Sequence, residues 1–333
     1  MSRILITGAT GFVGGHILAN LYLKGYSIRA TYRSANFDEL LLICKALHID
    51  FNKLFSSVEW IKVDLQDKVA LDRAMWDIDE VYHCAAMVNF DSVKAEALKD
   101  NNIGITQNIV DTCLRKRIDK LCYISSIGAL GGHRPTDGKI DENCFADNGQ
   151  TSSVYSNSKQ LAEKVVWQAI KEGLETVILN PGIILGPGSL DKGGNLLIKK
   201  IQRGMFCYTR GATGYVDVRD VAGIALYCME HNITNRRLVC VSENLSYKEL
   251  FKTILQVTKK RRPLVKIHKP LLYIAYAGVM LTNLFKKKKS PFTKATLLTS
   301  LKQHIYDNTR IRQTVDYKFT PIRQTIKDTI ELN

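Results

Sequence analysis

Ile4-Leu5-Ile6, followed at once by Thr7-Gly8-Ala9-Thr10-Gly11-Phe12-Val13-Gly14, is the stretch whose reading decides the fold. The apolar triplet is strand-like. Beyond the glycines, Val13, Ile17, Leu18 and Leu21 recur at helical spacing, and Gly25 stands where that helix should stop. Strand, glycine turn and helix form the context in which a backbone binds a dinucleotide pyrophosphate. Glycines let the chain turn sharply and approach the phosphates, while the free N–H groups of the helix start face the negative charge. The spacing of Gly8, Gly11 and Gly14 is G-x-x-G-x-x-G rather than G-x-G-x-x-G, so alone it equally suits an ordinary glycine turn.

The next segments extend the pattern. A second strand, Ser27 to Tyr32, ends where a dinucleotide fold selects its cofactor. An acid there would bond the ribose 2′-hydroxyl, whereas an arginine accepts a 2′-phosphate. Here Arg33-Ser34 follows the strand and the first acid is Asp38, which favours NADP and keeps NAD as the second choice. Residues 37–55 carry apolar positions that fit one amphipathic helix. A strand from Val58 to Val63 runs into Asp64-Leu65, placed either to reach an adenine or, through Asp64, to cap the next helix. Val81 to Cys84 forms a fourth strand ending in Ala85-Ala86, small enough to let a cofactor cross the sheet edge. Asn102 to Arg117 reads as a helix and Lys120 to Ser125 as a fifth strand. The alternation predicts an α/β fold, a doubly wound parallel sheet.

Ser125 and Ser126 place two hydroxyls at the carboxyl end of the fifth strand, where open α/β sheets bind ligands. Downstream, Tyr155-Ser156-Asn157-Ser158-Lys159 opens a helix that continues through Leu161, Val165, Val166 and Ala169. Tyr155 and Lys159 are four apart and share a helical face. A free phenol titrates near pKa ~10. A neighbouring ammonium favours the phenolate and brings that value toward neutral pH, which suits Tyr155 to general acid/base work. A serine hydroxyl opposite can hold a substrate oxygen.

On these residues the chain resembles the extended short-chain dehydrogenase/reductase family, within the NAD-dependent epimerase/dehydratase superfamily. The matching pieces are the glycine turn, Asp64-Leu65, His83-Cys84-Ala85-Ala86, Asn102 with Thr106 and Asn108, Ser125-Ser126, Tyr155 with Lys159, Asn180-Pro181-Gly182, and Tyr215 to Ala222. They cover about the first 240 residues firmly. The resemblance implies a Rossmann domain (1–180 and 215–242) with a smaller C-terminal α/β substrate lobe (181–214 and 243–333). It also implies a cofactor-binding set of Gly8, Thr10, Gly11, Phe12, Val13, Gly14, Arg33, Ser34, Asp64, Leu65, Ala85 and Ala86. Pro181 and Ile183 would line the nicotinamide, and Tyr155 and Lys159 would touch the cofactor as well as act in catalysis. By alignment on Ser-Ser-x-x-x-x-Gly, ending at Gly131, the catalytic serine is Ser126, with Ser125 the runner-up. Ile105, where similar chains carry glycine, departs from the pattern in packing rather than chemistry.

Two branches of that family compete. Sugar-nucleotide epimerases and dehydratases commonly place Arg-Asp just before the Tyr-Val-x-Val segment and many hold NAD tightly. This chain has Thr213-Gly214 there, and Arg33 as a phosphate ligand. The segment Ile28 to Arg33 is similar to the dihydroflavonol-4-reductase and 3β-hydroxysteroid dehydrogenase branch, which implies alcohol/carbonyl chemistry on a small, mainly apolar substrate. Dimers are common among similar proteins, so a homodimer is an expected state.

Composition bounds the rest. The 333 residues, 45% hydrophobic and 24% charged, can bury a substantial core. Eight cysteines lie scattered with no Cys-x-x-Cys pair, and the seven histidines show no ligand spacing. That predicts reduced core cysteines, no metal site and a cytoplasmic location. No secretory signal fits before the strand that begins at Arg3. The charge is lopsided: of 47 basic and 32 acidic residues, 231–333 hold 21 and 6, leaving the first 230 residues balanced at 26 each. Residues 270–285 are apolar almost throughout and are flanked by Lys259-Lys260-Arg261-Arg262 and by Lys286 to Lys289. Sixteen residues fall short of the roughly 20 a membrane span requires. The favoured placement is a wall of the substrate pocket; the other is a peripheral membrane contact through 270–289, the lysines meeting anionic headgroups. No aromatic-interleaved basic motif points to nucleic acid.

Overall fold

The computed structural model describes residues 2–86, 95–131, 138–145, 153–268 and 300–333. The opening stretch folds as its pattern predicts: strand β1 (Arg3–Thr7), a glycine turn, and helix α1 (Phe12–Leu23), which ends before Gly25 at φ +78°. Next come β2 (Ser27–Tyr32), α2 (Asp38–Ala46), α3 (Phe51–Ser57), β3 (Glu59–Lys62), α4 (Lys68–Ala74) and β4 (Glu80–His83). The second half-sheet is built from α5 (Ala95–Lys116), β5 (Lys120–Ile124), α6 (Val154–Lys171) and β6 (Glu175–Pro181).

Residues 37–55 are two helices, not the single one expected. His48 adopts φ +55°, and the Asp50 carboxylate accepts hydrogen bonds from the Asn52 and Lys53 amides at 2.9 and 3.1 Å, starting α3 afresh. A left-handed residue breaks a helix, and an Asp cap restarts one.

With β10 (Arg236–Cys240), six of these strands form a seven-stranded sheet in the order β10-β6-β5-β4-β1-β2-β3, every pairing parallel. The chain runs outward from β1 to β3, then returns to place β4 on the other side of β1. The crevice at the carboxyl ends of β1 and β4 is therefore the switch point, where such sheets bind ligands. Both faces are covered, as parallel sheets require. Ile4 and Ile6 face a core shared with α1 and with α8 (Val218–Glu230), while Leu5 turns to a second core against α5 and α6. Ile105 is buried in that second core, so its departure is a packing one.

A smaller sheet, β7 (Ile183–Leu185), β9 (Ala212–Asp217) and β11 (Glu243–Ser246), pairs β7 parallel and β11 antiparallel to β9. It carries a third core with α7 (Asn195–Gln202), α9 (Tyr247–Val257) and α11 (Ile322–Leu332). Strands β8 (Cys207–Tyr208) and β12 (Val265–Lys266) pair beside it. Ile311 on α10 (Thr309–Thr314), with Val315 and Phe319, packs instead on the α1 side of the large sheet. The apolar segment 270–285 and the lysines 286–289 lie outside the described residues. Among the described residues no helix is long and apolar enough to cross a membrane, and no cluster of potential metal ligands occurs. All eight cysteines are unpaired, and six of them are buried.

Candidate active site

The glycine turn closes on itself, with the Gly11 amide donating to the Gly8 carbonyl at 2.9 Å. Gly8, at φ +73°, lies so close to β4 that a Cβ would stand 2.8 Å from the Ala85 nitrogen. A Cβ on Gly14 would stand 2.2 Å from the Gly8 oxygen. Gly8 therefore serves the left-handed turn and the approach to Ala85, and Gly14 the seating of α1 on β1. Gly11 caps α1 with no side-chain partner, so the first-turn N–H groups of Phe12 and Val13 carry no side-chain cap; Thr10 lies beside them, half-buried. This is a cradle that a Cβ would fill, and it fits a pyrophosphate.

At the carboxyl end of β2, Arg33 and Ser34 are exposed, and Arg33 makes no ion pair or hydrogen bond among the described residues. Asp64 is exposed and its carboxylate accepts the Gln66 amide at 3.0 Å. It does not cap the next helix: Asp67 does, accepting from Val69 and Ala70 at 2.9 and 3.0 Å. Leu65 is buried, its carbonyl held by the Asn108 amide at 3.1 Å. The Ala85 amide meets the Thr7 hydroxyl at 3.3 Å, and Ala86 is half-buried beside it. His83, at the end of β4, spans Thr7 Oγ1 (2.7 Å) and Thr106 Oγ1 (3.4 Å), and burial pushes its pKa down to about 3. A neutral imidazole thus ties β1 to α5 directly beneath the crevice.

The two serines separate cleanly. Ser125 turns inward and donates to the buried Glu163 carboxylate at 2.6 Å. Ser126 faces outward, where its hydroxyl accepts the Gly128 amide at 3.0 Å and is hydrogen-bonded to the Tyr155 phenol. The structure therefore brings Ser126 and Tyr155 together and takes Ser125 away. Lys159 is buried, donates to the Ile124 carbonyl at 2.9 Å and lies over the Tyr123 ring at 5.2 Å. Burial lowers its pKa to about 8, opposed by the charge of Glu163.

The Tyr155 pKa is raised, by burial first, and the group that opposes the rise is Ser126 rather than Lys159. The ammonium is committed to a strand carbonyl, so the help expected from the i, i+4 spacing does not act directly on the phenol. Pro181 is buried at the end of β6, paired with Cys240, and Ile183 begins β7 opposite Tyr215.

Three features escaped the sequence reading. Asn180, fully buried, donates to both the Ser126 carbonyl (3.0 Å) and Glu163 (2.8 Å). Arg237, on the edge strand β10, pairs with Glu163 at 3.0 Å. The segment Pro187-Gly188-Ser189 folds over the start of α1: the Pro187 carbonyl meets His16 Nε2 at 2.8 Å, and the Ser189 amide donates to Glu39 at 2.9 Å. Glu163 alone left a trace in the sequence, standing four residues after Lys159 and eight after Tyr155.

Known proteins resemble this chain in sequence and in fold. A model of the NAD dependent epimerase/dehydratase family matches residues 4–240. A cinnamoyl-CoA reductase 1 of Petunia hybrida is 24% identical over 340 residues, covering 98% of this chain and 91% of its own. A bifunctional dihydroflavonol 4-reductase/flavanone 4-reductase of Malus domestica is 28% identical over 266 residues, 75% of each chain. Among solved structures, the yeast methylglyoxal/isovaleraldehyde reductase Gre2 complexed with NADPH superposes with a TM-score of 0.75 at 20% identity, over 99% of this chain and 97% of that one.

Proposed function

The chain belongs to the NAD dependent epimerase/dehydratase family, and on that premise we propose that it is an NADP-dependent oxidoreductase interconverting an alcohol and a ketone or aldehyde on a small, mainly apolar substrate. The observation that carries the reading is the Ser126–Tyr155 hydrogen bond beside buried Lys159, at the carboxyl end of β5. The glycine cradle and the α1 start would hold the pyrophosphate, and the uncommitted, exposed Arg33 with Ser34 would take a 2′-phosphate. A bound nicotinamide would supply the hydride chemistry. The protein's own part is proton handling and orientation. In the reductive direction Ser126 orients the carbonyl oxygen and Tyr155 gives it a proton; in the oxidative direction Tyr155 takes the proton back. Lys159 holds positive charge next to the site and supports cofactor binding.

The reductase names of the two relatives support a carbonyl substrate, as does the absence of an Arg at the Thr213-Gly214 position. Gly214 there packs against the Val241 side chain, leaving no cation from β9 for a sugar-nucleotide phosphate. The test is a panel of aldehydes and ketones followed by NADPH absorbance, with Tyr155→Phe as control. The variant should lose at least ~10²-fold in kcat while binding NADPH nearly as tightly as wild type. A Tyr155→Phe protein that kept its rate would remove Tyr155 from the mechanism; NAD that co-purifies and no carbonyl turnover would favour an epimerase.

We propose further that the basic C-terminal third meets an anionic membrane surface. Lys252, Lys259, Lys260, Arg261 and Arg262 line an open groove of about 800 Å³ at the end of α9, with Leu255 and Leu264 among them and no carboxylate among the described residues of its walls. Each such cation near an anionic bilayer contributes about 1 kcal/mol.

A further inference from the structure

Tyr155, Lys159 and Glu163 follow one another at intervals of four along α6, one on each successive turn. Tyr155 and Lys159 reach the crevice; Glu163 lies one turn deeper, 3% exposed, with every strand around it sending it a donor. From the residue just past β5, Ser125 Oγ donates to its carboxylate at 2.6 Å. From β6, Asn180 Nδ2 donates at 2.8 Å, and from β10, Arg237 Nη1 at 3.0 Å. On its own helix, Trp167 Nε1 donates at 3.3 Å. Four donors on two oxygens satisfy a buried carboxylate, which is the condition for keeping it ionised away from water.

These bonds are anchored further out. Asn180 spends its second N–H on the Ser126 carbonyl, so the backbone of the serine that meets Tyr155 is held by a residue that Glu163 holds. Arg237 donates to the Glu142 carbonyl at 2.6 Å and the Cys144 carbonyl at 3.0 Å, and its guanidinium lies 4.1 Å from the Phe145 ring centre. The Glu142 carboxylate in turn accepts the Val239 amide at 2.9 Å and has Arg310 at 3.6 Å.

We propose that Glu163 is a positioning residue for the carbonyl/alcohol chemistry: a buried carboxylate that fixes, from behind, both the strand end carrying Ser126 and the helix face carrying Tyr155 and Lys159. The proposal rests on the reductase reading above, and it goes beyond it in giving that site a fixed anion. The groups facing Lys159 are His83 of β4 and Cys84 just beyond it, Tyr123 and the Ile124 carbonyl of β5, and Glu163 of α6. The His83 imidazole is kept neutral, and burial pushes the Cys84 thiol up to about 12, so neither carries charge at neutral pH. Glu163 is then the ionised acid that sustains the Lys159 ammonium against burial.

The test separates positioning from mere structure. NADPH fluorescence titrations between pH 6 and 10 read the Lys159 charge without any turnover. In the wild type, affinity should fall as pH rises through about 8, where Lys159 loses its proton. Glu163→Gln removes the opposing anion, so that fall should begin about one pH unit lower, with kcat on a responsive carbonyl reduced at least tenfold. Because Glu163→Gln leaves Arg237 buried without its partner, the double variant Glu163→Gln/Arg237→Met is measured beside it. The double variant should regain stability yet keep the displaced pH profile. A profile that stays at the wild-type pH in either folded variant, or returns to it in the double variant, overturns the proposal. A wild type that binds no NADPH at all fails the reductase reading instead.

Discussion

Gly14→Ala tests whether the glycine turn is a backbone approach or only a flexible joint. An added methyl at Gly14 would stand 2.2 Å from the Gly8 oxygen and 2.7 Å from the Gly8 carbonyl carbon. Ordinary carbon–oxygen contact lies near ~3.4 Å, so the start of α1 must retreat by about 1 Å from β1. Both clashing atoms belong to the backbone of a turn already fixed by the Gly11–Gly8 hydrogen bond and by the contact with Ala85, so no side chain can swing aside. Overpacking of this kind costs about 1–3 kcal/mol. The retreat also carries the Phe12 and Val13 N–H groups away from the cradle, and losing one charge-assisted hydrogen bond is worth about 1.5–3 kcal/mol, or roughly 10- to 150-fold in NADPH affinity. The neighbouring Gly15→Ala is the internal control. Its methyl meets the tip of the Ile43 side chain at 2.6 Å, which can rotate, so it should cost stability without a comparable loss of affinity. Urea unfolding and NADPH fluorescence titration give the two quantities. If Gly14→Ala binds NADPH as wild type does and unfolds within ~0.5 kcal/mol of it, the backbone-approach reasoning is wrong.

Three further expectations can be checked with the same protein. Arg33→Ala should weaken NADPH by roughly tenfold or more and NADH hardly at all, since Arg33 has no ion pair or hydrogen bond to lose among the described residues; equal losses would detach Arg33 from cofactor choice. Ser125→Ala should lower the unfolding free energy by about 1–3 kcal/mol and slow kcat less than Ser126→Ala, because it loosens Glu163 without touching the substrate oxygen, whereas Ser126→Ala should cut kcat with little loss of stability; steady-state rates beside melting curves decide, and a Ser125→Ala protein slower than Ser126→Ala would reverse the two assignments. Vesicles with 30% anionic lipid should sediment the protein at low salt and release it at 0.5 M salt, neutral vesicles should not, and Lys259→Glu/Arg261→Glu should bind neither; equal binding to neutral vesicles would refute the electrostatic account.

The frame of the molecule was legible because its signals are local. Ile4-Leu5-Ile6, the three glycines and the α1 periodicity lie within one unit of chain, and Tyr155 and Lys159 sit one helical turn apart. What could not be read is what sequence distance hides. The resemblance pointed to Ser126, but the physical reason, that Glu163 claims the inward side of the strand end and with it Ser125, lies in the fold. Asn180 and Arg237 come from β6 and β10 and meet Glu163 only once the strands are ordered. The Lys159 expectation failed for a related reason: spacing puts the ammonium near the phenol, but only the fold shows that the Ile124 carbonyl claims it. The break at His48 was also missed, because a left-handed non-glycine residue leaves no compositional mark.

The Pro187–Ser189 segment has a meaning for exchange between relatives. It leaves the small sheet after β7 and keeps a bond to its own lobe, from Asn195 of α7 to the Ser189 carbonyl at 3.3 Å, yet it also bonds His16 on α1 and Glu39 on α2, and Asn333 beyond α11 grips the Gly188 carbonyl at 2.9 Å. A stretch read as part of the substrate lobe thus carries the seal of the nucleotide half. A recombinant chimera that kept the first 180 residues and took its lobe from another family member would inherit a foreign seal over its own glycine turn. Grafted lobes should therefore be matched at residues 186–189 before they are matched at the substrate pocket.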